Sequence, residues 1–408
     1  MSPNHQIVGV LGSASSRKSL AFVRSLGRYG VHVHLISDSI FDPARHSRFV
    51  GCKFKSSELC DDSSLLSCPQ IGVTDKGLHR AVKFFLEESE IFAHFHYSKK
   101  AIPGYDFCLP TEEAFSVAND KHLTSLFAER MGIPVIPELL LQSAHLDKKM
   151  LFRFFKESEI VTKPRSLNGS RGIRFFEGVE DLGSKLEVIE DDLRLYGSLL
   201  VQKRITGKLE SIGVSLLFDS QGRCINAFVH KRLHQFPISG GPSTRSVSIK
   251  DSKLLAESKR LLEGLNWQGI AMVEWLRESS SGRVFLMEIN PRPWGSVSLA
   301  IKSGQNFPVR YMQASLGEIM APNLDYSEGI INRWLWPGDI LRWLSERKFG
   351  LASTLTFLDD ILVESEEWDI QDPKPFFVSA LQSFSFIFRP SRWRILLDKH
   401  LSRHKHTK

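Results

Sequence analysis

The sequence predicts an α/β layer at the N-terminus, an α+β region with antiparallel sheets after it, and a helical extension at the C-terminus. Two observations support this fold class. The first segment alternates strand, helix and strand, which is the order of a parallel sheet. The stretch from about residue 198 to residue 290 instead holds apolar strands with short turns, then a predicted helix at Ser252–Leu265 and a last hairpin, which is typical of mostly antiparallel pairing. A chain of 408 residues is long enough for two or three domains.

The N-terminal layer is predicted to cover residues 1–115. IVGVLG is a short apolar strand, SSRKSLAFVRSLGRYG predicts a helix that ends at Gly30, and VHVHLIS supplies a second strand. A further strand, YDFCLP, precedes Thr111, a suitable cap for the next helix. These elements predict a Rossmann-like layer. An NAD-dependent oxidoreductase is the weaker hypothesis, because the turn GVLGSASS lacks the third glycine of the dinucleotide fingerprint.

Composition predicts a soluble, cytoplasmic protein. Hydrophobic residues make up 42% of the chain and charged residues 24%, and no apolar run is long enough to span a membrane. The N-terminus has no pattern of a secretory signal. Five cysteines are few and odd in number, which fits a reducing compartment. Cys52, Cys60 and Cys68 lie near His46, but they lack the short spacing of zinc knuckles, so a zinc site is the weaker interpretation.

The net charge of +7 comes mainly from the C-terminal tail. From Arg389 onward there are seven basic residues against the single acid Asp398, and the rest of the chain is close to neutral. Any electrostatic partner therefore belongs to the tail. Together with the preceding FFVSALQSFSFIF, it suits a membrane-surface element or a protein dock, although we favour a packed helix with a solvated basic end. No specific nucleic acid partner is expected, because no aromatic stacking platform is evident.

Two glutamates late in the chain carry the strongest chemical signal. Glu274 and Glu288 are each seven residues from Ser281, so a regular hairpin would place them opposite each other on one face. Like charges placed opposite each other are destabilising without a counter-charge. Asn290 joins the same face, and this set of hard oxygen ligands suits Mg²⁺. The alternative is that one glutamate points to solvent.

The sequence MEINPRPWGS at 287–296 resembles the metal-binding strand of the ATP-grasp superfamily, in its carboxylate–amine ligase branch, with a domain like that of carbamoyl-phosphate synthetase and biotin carboxylase. In the same order as in that family, NDKHLTSLFAERMGIPVIP resembles the first lysine region, VTKPRSLNGSRGI the second lysine with its glycine-rich loop, and VQKRITGKLESIGVSLLF the adenine hinge. The resemblance implies a pre-ATP-grasp domain over 1–115, an ATP-grasp domain over 116–310 (lid part about 120–200, large part about 201–310), and a C-terminal extension over 311–408.

The resemblance also implies roles for individual residues. Mg²⁺ or Mn²⁺ would be held by Glu274, Glu288 and Asn290, and the catalytic residues would be Arg292 and Lys163. Nucleotide-binding positions would be Lys121, Lys163, Gly169, Ser170, Arg171, Gly172, Gln202, Lys203, Ile205 and Glu210. Substrate-binding positions would be Lys231, Arg245 and Arg292. Glu210 as a solvent-facing residue and Arg292 as a partner of a core carboxylate stay open as alternatives.

The function that the resemblance implies is an ATP- and Mg-dependent ligase. Such an enzyme activates a carboxylate as an acyl phosphate and joins it to an amine or a similar nucleophile. The alternatives are a bicarbonate substrate, a hydroxyl or thiol acceptor, or a catalytically silent nucleotide-binding or assembly protein. The expected partners are small-molecule carboxylate and amine substrates, and a homodimer is left open.

Overall fold

The structure is a computed structural model that describes residues 7–58, 80–97, 105–142, 151–153, 159–165, 172–177, 182–238, 240–346, 351–359 and 361–387. These residues form a parallel sheet of five strands followed by two antiparallel sheets, of four and six strands. The predicted fold class is therefore confirmed. Within the described residues, no helix has both the length and the apolar character that a membrane span requires.

The parallel sheet is the N-terminal layer, and its strand order is β3-β2-β1-β4-β5. Its strands are β1 (Ile7–Leu11), β2 (His32–Ile36), β3 (Val50–Phe54), β4 (Arg80–Phe84) and β5 (Tyr105–Asp106). Its helices are α1 (Arg17–Arg28), α2 (Glu88–Tyr97) and α3 (Glu112–Asn119). The predicted cap is present, because the Thr111 side chain accepts a hydrogen bond from the backbone N–H of Ala114 at 3.2 Å. β1 and β4 lie side by side at the centre, so their carboxyl ends form the crevice where the strand order reverses.

The four-stranded sheet follows helix α4 (Lys121–Arg130), in the order β6-β9-β7-β8. Its elements are β6 (Glu138–Gln142), β7 (Ile160–Pro164), β8 (Arg174–Phe176), α5 (Leu182–Tyr196) and β9 (Ser198–Lys203). Every pair is antiparallel. A small core that includes Leu141, Ile160 and Val201 lies under this sheet. The sheet spans residues 138–203, close to the stretch of about 120–200 predicted as the lid part, and we call it the lid sheet.

The six-stranded sheet is the base of the molecule, in the order β14-β13-β10-β11-β12-β15. Its strands are β10 (Leu209–Phe218), β11 (Cys224–Gln235), β12 (Ser243–Ser248), β13 (Gly269–Glu278), β14 (Val284–Asn290) and β15 (Ile331–Arg333). Helices α6 (Ser252–Gly264), α7 (Val297–Lys302) and α8 (Phe307–Ser315) pack against it. β15 belongs to the stretch predicted as an extension, yet it pairs with β12 and so completes this sheet.

The C-terminal extension is fastened to the N-terminal layer. It holds α9 (Ile340–Glu346), α10 (Leu351–Leu358), α11 (Ile361–Glu364) and α12 (Lys374–Ile387). The Glu366 carboxylate, 5% exposed, accepts hydrogen bonds from Arg17 at 2.5 and 2.8 Å and from Asn332 at 2.8 Å. The Arg24 guanidinium donates to Asp372 at 3.0 Å and to the Glu367 carbonyl. Helix α1 is thus tied to the segment that follows α11.

The cysteines only partly match the sequence-based expectation. Cys108 and Cys224 are free and buried, and burial raises the pKa of each thiol to about 12. Cys52 is disulfide-bonded, so the expectation of a fully reduced set is wrong at that position. Cys60 and Cys68, which were considered with Cys52 for a zinc site, lie outside the described residues.

Candidate active site

Glu274 and Glu288 are register partners in the β13–β14 hairpin, and Asn290 lies two residues further along β14. A bulge contributes to this pairing, since Trp275 faces Leu286 and Met287 is the extra residue. Both glutamate side chains are 24% exposed, whereas Asn290 is buried. The hairpin therefore presents two carboxylates and an amide on one face.

Basic side chains from other elements face the two carboxylates. The Lys121 ammonium lies 3.2 Å from Glu288, and the Arg232 guanidinium lies 3.5 Å from Glu274. Burial raises the pKa of Glu274, and the neighbouring Glu288 carboxylate adds to this effect. Burial alone would raise the pKa of Glu288 too, but Lys121 and Lys163 outweigh it and lower this pKa. The pair is thus held asymmetrically, with Glu288 the more readily ionised member.

The position of Lys121 is set by the start of helix α4. The Asp120 side chain caps this helix by accepting hydrogen bonds from the N–H groups of His122 and Leu123 at 2.9 and 3.1 Å. The same carboxylate forms a salt bridge of 2.6 Å with Arg165, the residue just after strand β7. α4 also packs against β14. Lys121, the first residue of α4, is thereby brought to Glu288.

Lys163 on β7 is the second lysine of the site, and it is only 6% exposed. No hydrogen bond or ion pair joins its ammonium to another residue in the part of the chain that the structure describes. Burial lowers its pKa to about 8, although the nearby carboxylates of Glu138 and Glu288 act in the opposite direction. A buried ammonium costs free energy unless an anion compensates it. The surroundings of Lys163 therefore suit an anionic ligand.

The predicted hinge follows the same lid sheet. Gln202, a buried residue of β9, donates a hydrogen bond from its side-chain amide to Glu138 at 2.8 Å. The other oxygen of Glu138 meets a ring nitrogen of His122 at 2.8 Å. Lys203 ends β9, and Ile205 lies in the irregular stretch that leads to β10. The backbone at 202–205 thus joins the two sheets, and Glu138 fixes the side chain of its first residue, Gln202.

Arg292 lies just beyond β14, and its side chain is 16% exposed. Its guanidinium is 2.6 Å from Glu88 and donates hydrogen bonds to the Asn290 amide oxygen at 3.3 Å and to the Pro293 carbonyl at 3.0 Å. Burial would lower the pKa of Arg292, but the Glu88 carboxylate raises it. Arg292 is therefore paired with a carboxylate, though that carboxylate comes from the start of α2 in the N-terminal layer. A guanidinium has five N–H donors, more than these contacts use.

Two predicted residues face away from the carboxylates. Lys231 pairs with Glu210 at 3.3 Å. Gly213 of β10 is the register partner of Glu274. Glu210 is three residues from Gly213, so its side chain lies on the opposite face of the sheet from Glu274. Arg277, also out of phase with Glu274, bonds to Asp251 at the start of α6. Lys231 and Glu210 therefore lie on the face that α6 covers.

Arg245 is also held elsewhere. Its guanidinium is 2.5 Å from Glu364 of the C-terminal extension. Glu364 in turn pairs with buried Arg333, which pairs with Asp339. The structure thus places Arg245 in an ionic network between β12 and the extension.

The predicted glycine-rich loop is described only at its end. Gly169, Ser170 and Arg171 lie outside the described residues. Gly172 has a φ of +71°, and a Cβ atom there would lie 2.7 Å from the Pro164 side chain. Only glycine fits such a position without strain.

Sequence reasoning missed three residues of this site: Arg232, Glu138 and Glu88. Arg232 could have been found from strand alternation, because Lys231 and Arg232 are neighbours and must point to opposite faces. No local pattern identifies Glu138 or Glu88, which reach the site only through packing of separate sheets.

The site was tested for its fit to a divalent cation with a nucleotide. No group of three or more His, Cys, Asp and Glu side chains is arranged to hold a metal in the described part of the chain. Glu274, Glu288 and Asn290 instead provide two carboxylates and one amide oxygen, which are hard ligands. A bound cation would stabilise the ionised form of Glu274, whose pKa burial raises, and a bound phosphate would stabilise the protonated form of Lys163, whose pKa burial lowers. The residues of the site therefore fit a divalent cation together with a nucleotide phosphate.

The fold and the site together define a class. A lid sheet and a base sheet converge on two lysines and a carboxylate pair, behind an N-terminal parallel layer. Two antiparallel sheets thus enclose a site whose charges suit a nucleotide with a divalent cation.

Comparison with known families makes the assignment specific. Residues 118–296 match the family model described as the ATP-grasp domain. This match over 118–296 confirms the resemblance to an ATP-grasp domain seen in the sequence.

Curated relatives and solved structures agree with this assignment. Acetyl-CoA carboxylase 1 of Oryza sativa subsp. japonica is 24% identical over 215 residues, which cover 46% of this chain and 9% of that protein. Mitochondrial pyruvate carboxylase of Mus musculus is 25% identical over 196 residues, 46% of this chain and 16% of that protein. The chain thus matches only a small part of these relatives.

Two solved structures share the fold over most of the chain. The biotin carboxylase domain of Hydrogenobacter thermophilus 2-oxoglutarate carboxylase, in complex with MgADP, ADP and bicarbonate, has a TM-score of 0.62 and 17% identity, covering 81% of this chain and 74% of that one. N5-carboxyaminoimidazole synthetase from Staphylococcus aureus, complexed with ADP, has a TM-score of 0.59 and 16% identity, covering 84% and 85%. At this identity the likeness establishes the fold alone.

Proposed function

We propose that this protein is an ATP- and Mg-dependent ligase that activates a carboxylate as an acyl phosphate and joins it to an amine. The observation that carries the proposal is the buried ammonium of Lys163, which makes no ion pair with any described residue although the Glu138 and Glu288 carboxylates are near it. It lies between two sheets beside a pair of carboxylates. A triphosphate with a divalent cation supplies the charges that both groups lack.

Lys121 and Lys163 would bind the phosphates of the nucleotide. Lys121 comes from the base side, through α4, and Lys163 comes from the lid. Ammonium groups on both sides neutralise the charge on the phosphates and position the γ-phosphoryl group for transfer. The backbone at 202–205 would bind the adenine, with the Gln202 side chain held in place by Glu138.

Glu274, Glu288 and Asn290 would hold Mg²⁺ or Mn²⁺, with the remaining coordination positions taken by phosphate oxygens and water. The bound cation would supply charge neutralisation during phosphoryl transfer. In the proposed complex Lys121 turns from Glu288 toward a phosphate, because both partners of that 3.2 Å contact then have a ligand of opposite charge.

Arg292 would hold the carboxylate substrate. Arg292 is two residues after Asn290 and donates a hydrogen bond to it. The guanidinium has five N–H donors, more than its present contacts use. A planar guanidinium matches a carboxylate bidentately, and Glu88 behind it keeps the plane oriented. The substrate oxygen would thus be presented to the γ-phosphoryl group, and the acyl phosphate formed would react with an amine.

Bicarbonate is a second candidate for the carboxylate substrate. A specific observation favours it: the Hydrogenobacter thermophilus domain of the same fold is described in complex with a bicarbonate anion. The same Arg292 guanidinium would bind either anion. Because the matched relatives extend far beyond this chain, no carboxyl-transfer step is assigned to it.

Measuring ADP release from the full-length protein with ATP, Mg²⁺ and a panel of carboxylates, bicarbonate and amines tests the proposal. We expect release that depends on a carboxylate and rises with an amine. If no compound in the panel causes ADP release but calorimetry shows tight ATP binding, the protein is instead a silent nucleotide-binding protein. Absence of both would contradict the proposed site.

A further inference from the structure

Helix α12 has its polarity reversed relative to an ordinary surface helix. Phe377, Leu381 and Phe384 are 57%, 61% and 47% exposed. Their spacing of four and three residues puts them on one stripe of the helix. A large apolar stripe in water is unfavourable unless something covers it.

The opposite side of α12 carries small side chains that pack inward. Ser379 and Ser383 are 4% and 2% exposed, and the Ser383 hydroxyl donates to the Ser379 carbonyl at 2.7 Å. Phe376 packs its ring against Trp336 and Trp368, with centroids 6.2 and 5.3 Å apart. The helix is therefore docked by its serine side, and its outward stripe is a fixed feature of the fold. The packing that the sequence analysis favoured is present, and the basic end lies outside the described residues.

A second exposed apolar group lies next to this helix. α12 packs against the short 3-10 turn Pro43–His46. Directly before that turn, Ile40 and Phe41 are 67% and 51% exposed. Two elements distant in sequence thus expose large apolar side chains in the same region.

The charge around this region is basic. Lys374, the first residue of α12, is exposed, and Arg48 reaches the Gln371 carbonyl just before it. Two of the acids near α12 are paired, Asp369 with Arg28 and Asp372 with Arg24. Two residues after α12 ends, the basic tail begins, with seven Lys and Arg against one Asp.

We propose that the stripe formed by Phe377, Leu381 and Phe384 is a peripheral binding site for an anionic lipid bilayer, with the tail from Arg389 adding electrostatic attraction. An apolar stripe inserted at the headgroup boundary and basic residues beside it are the two elements of interfacial binding. Each Lys or Arg close to an anionic leaflet strengthens the attachment. The proposal is independent of the ligase activity.

Charge decides between a bilayer and a second copy of this chain. A dimer formed through α12 would bring two basic tails and two Lys374 side chains together, which like-charge repulsion opposes. An anionic surface instead attracts both. The stripe and the basic residues around it are therefore complementary to an anionic bilayer and not to a second copy of this chain.

Co-sedimentation of the full-length protein with vesicles tests this. We expect binding to vesicles of phosphatidylserine and phosphatidylcholine, little binding to pure phosphatidylcholine, and a several-fold loss when salt rises from about 0.1 to 0.5 M. The double variant Phe377→Gln with Leu381→Gln should bind roughly tenfold less or weaker still. Phe384 is kept because its ring contacts Trp336.

Ile319→Gln is the matched control, since Ile319 is 81% exposed and lies outside α12. It should bind vesicles like the parent, and both variants should keep the parent's thermal unfolding midpoint. Absence of binding to anionic vesicles would overturn the proposal. So would undiminished binding by the double variant, or self-association of the parent that the double variant abolishes without any vesicle binding.

Discussion

Replacing Glu288 by glutamine removes one charge of the pair on which the proposed metal site depends. At least about 3 kcal/mol of charge stabilisation in the transition state would be lost, which corresponds to roughly a 150-fold fall in turnover. The fold should tolerate the change. Lys121 loses its partner at 3.2 Å, a cost of about 1 kcal/mol, but the removal of a like charge beside Glu274 offsets it. We therefore expect an unfolding midpoint within about 3 °C of the parent.

The assay is ADP release at saturating ATP with a range of Mg²⁺ concentrations, combined with thermal unfolding of the same samples. Glu278→Gln is the control, because Glu278 lies on the same hairpin but pairs with Arg283 at 3.0 Å, away from the site. Turnover like that of the parent in Glu288→Gln, with the fold intact, would refute the metal assignment. A similar loss in Glu278→Gln would show that the hairpin is merely sensitive to substitution.

Four further predictions concern other parts of the molecule. Lys163→Met should weaken ATP binding yet raise the unfolding midpoint of the ligand-free protein. The reason is that a buried ammonium whose pKa has fallen from 10.5 to about 8 costs a few kcal/mol of stability near neutral pH. Calorimetry should therefore show a lower ATP affinity while thermal unfolding shows a higher midpoint. The phosphates bind the protonated amine, so ATP affinity should be full below pH 8 and fall by up to tenfold per pH unit above it, whereas Lys163→Arg should remove this dependence; a flat profile for the parent protein would contradict the role of Lys163. Glu88→Gln should raise the KM for the carboxylate more than the KM for ATP, and Glu88→Asp should partly restore it, since Glu88 orients Arg292 at 2.6 Å; equal changes in both KM values would count against this. Glu366→Ala should destabilise the fold by about 3–5 kcal/mol, because Arg17, whose side chain is 16% exposed, loses both of its hydrogen bonds to the buried carboxylate; denaturant unfolding that leaves stability within about 1 kcal/mol of the parent would exclude the fastening role of Glu366.

The carboxylate pair was predictable, although partly for the wrong reason. Counting seven residues on each side of Ser281 assumes a regular hairpin. In the structure Trp275 faces Leu286, so the ladder near the turn is shifted by one residue, and the bulge at Met287 restores the pairing at Glu274 and Glu288. A one-residue bulge leaves little trace in a sequence, because its signal is a change of phase and not a residue type.

Residues with local signals were easier to place than residues whose partners are distant. Lys121 follows a capping aspartate, and Lys163 ends an apolar strand, so both positions follow from neighbouring residues. Arg245 was proposed for substrate binding from a short resemblance, but its partner Glu364 lies 119 residues away in the extension. The same limit applies to Glu88, which meets Arg292 only because two sheets pack together.

The contact between Asp120 and Arg165 has a mechanical consequence. It ties the first turn of α4, which rests on the base sheet, to the end of β7 in the lid. A lid that opens and closes would then pivot close to this ion pair. Lys163 is two residues from the pivot and should travel a short distance, while β8 and α5 sweep a wider arc. Lys121 and Lys163 would then stay close together during such a movement, and only the outer part of the lid sheet would swing.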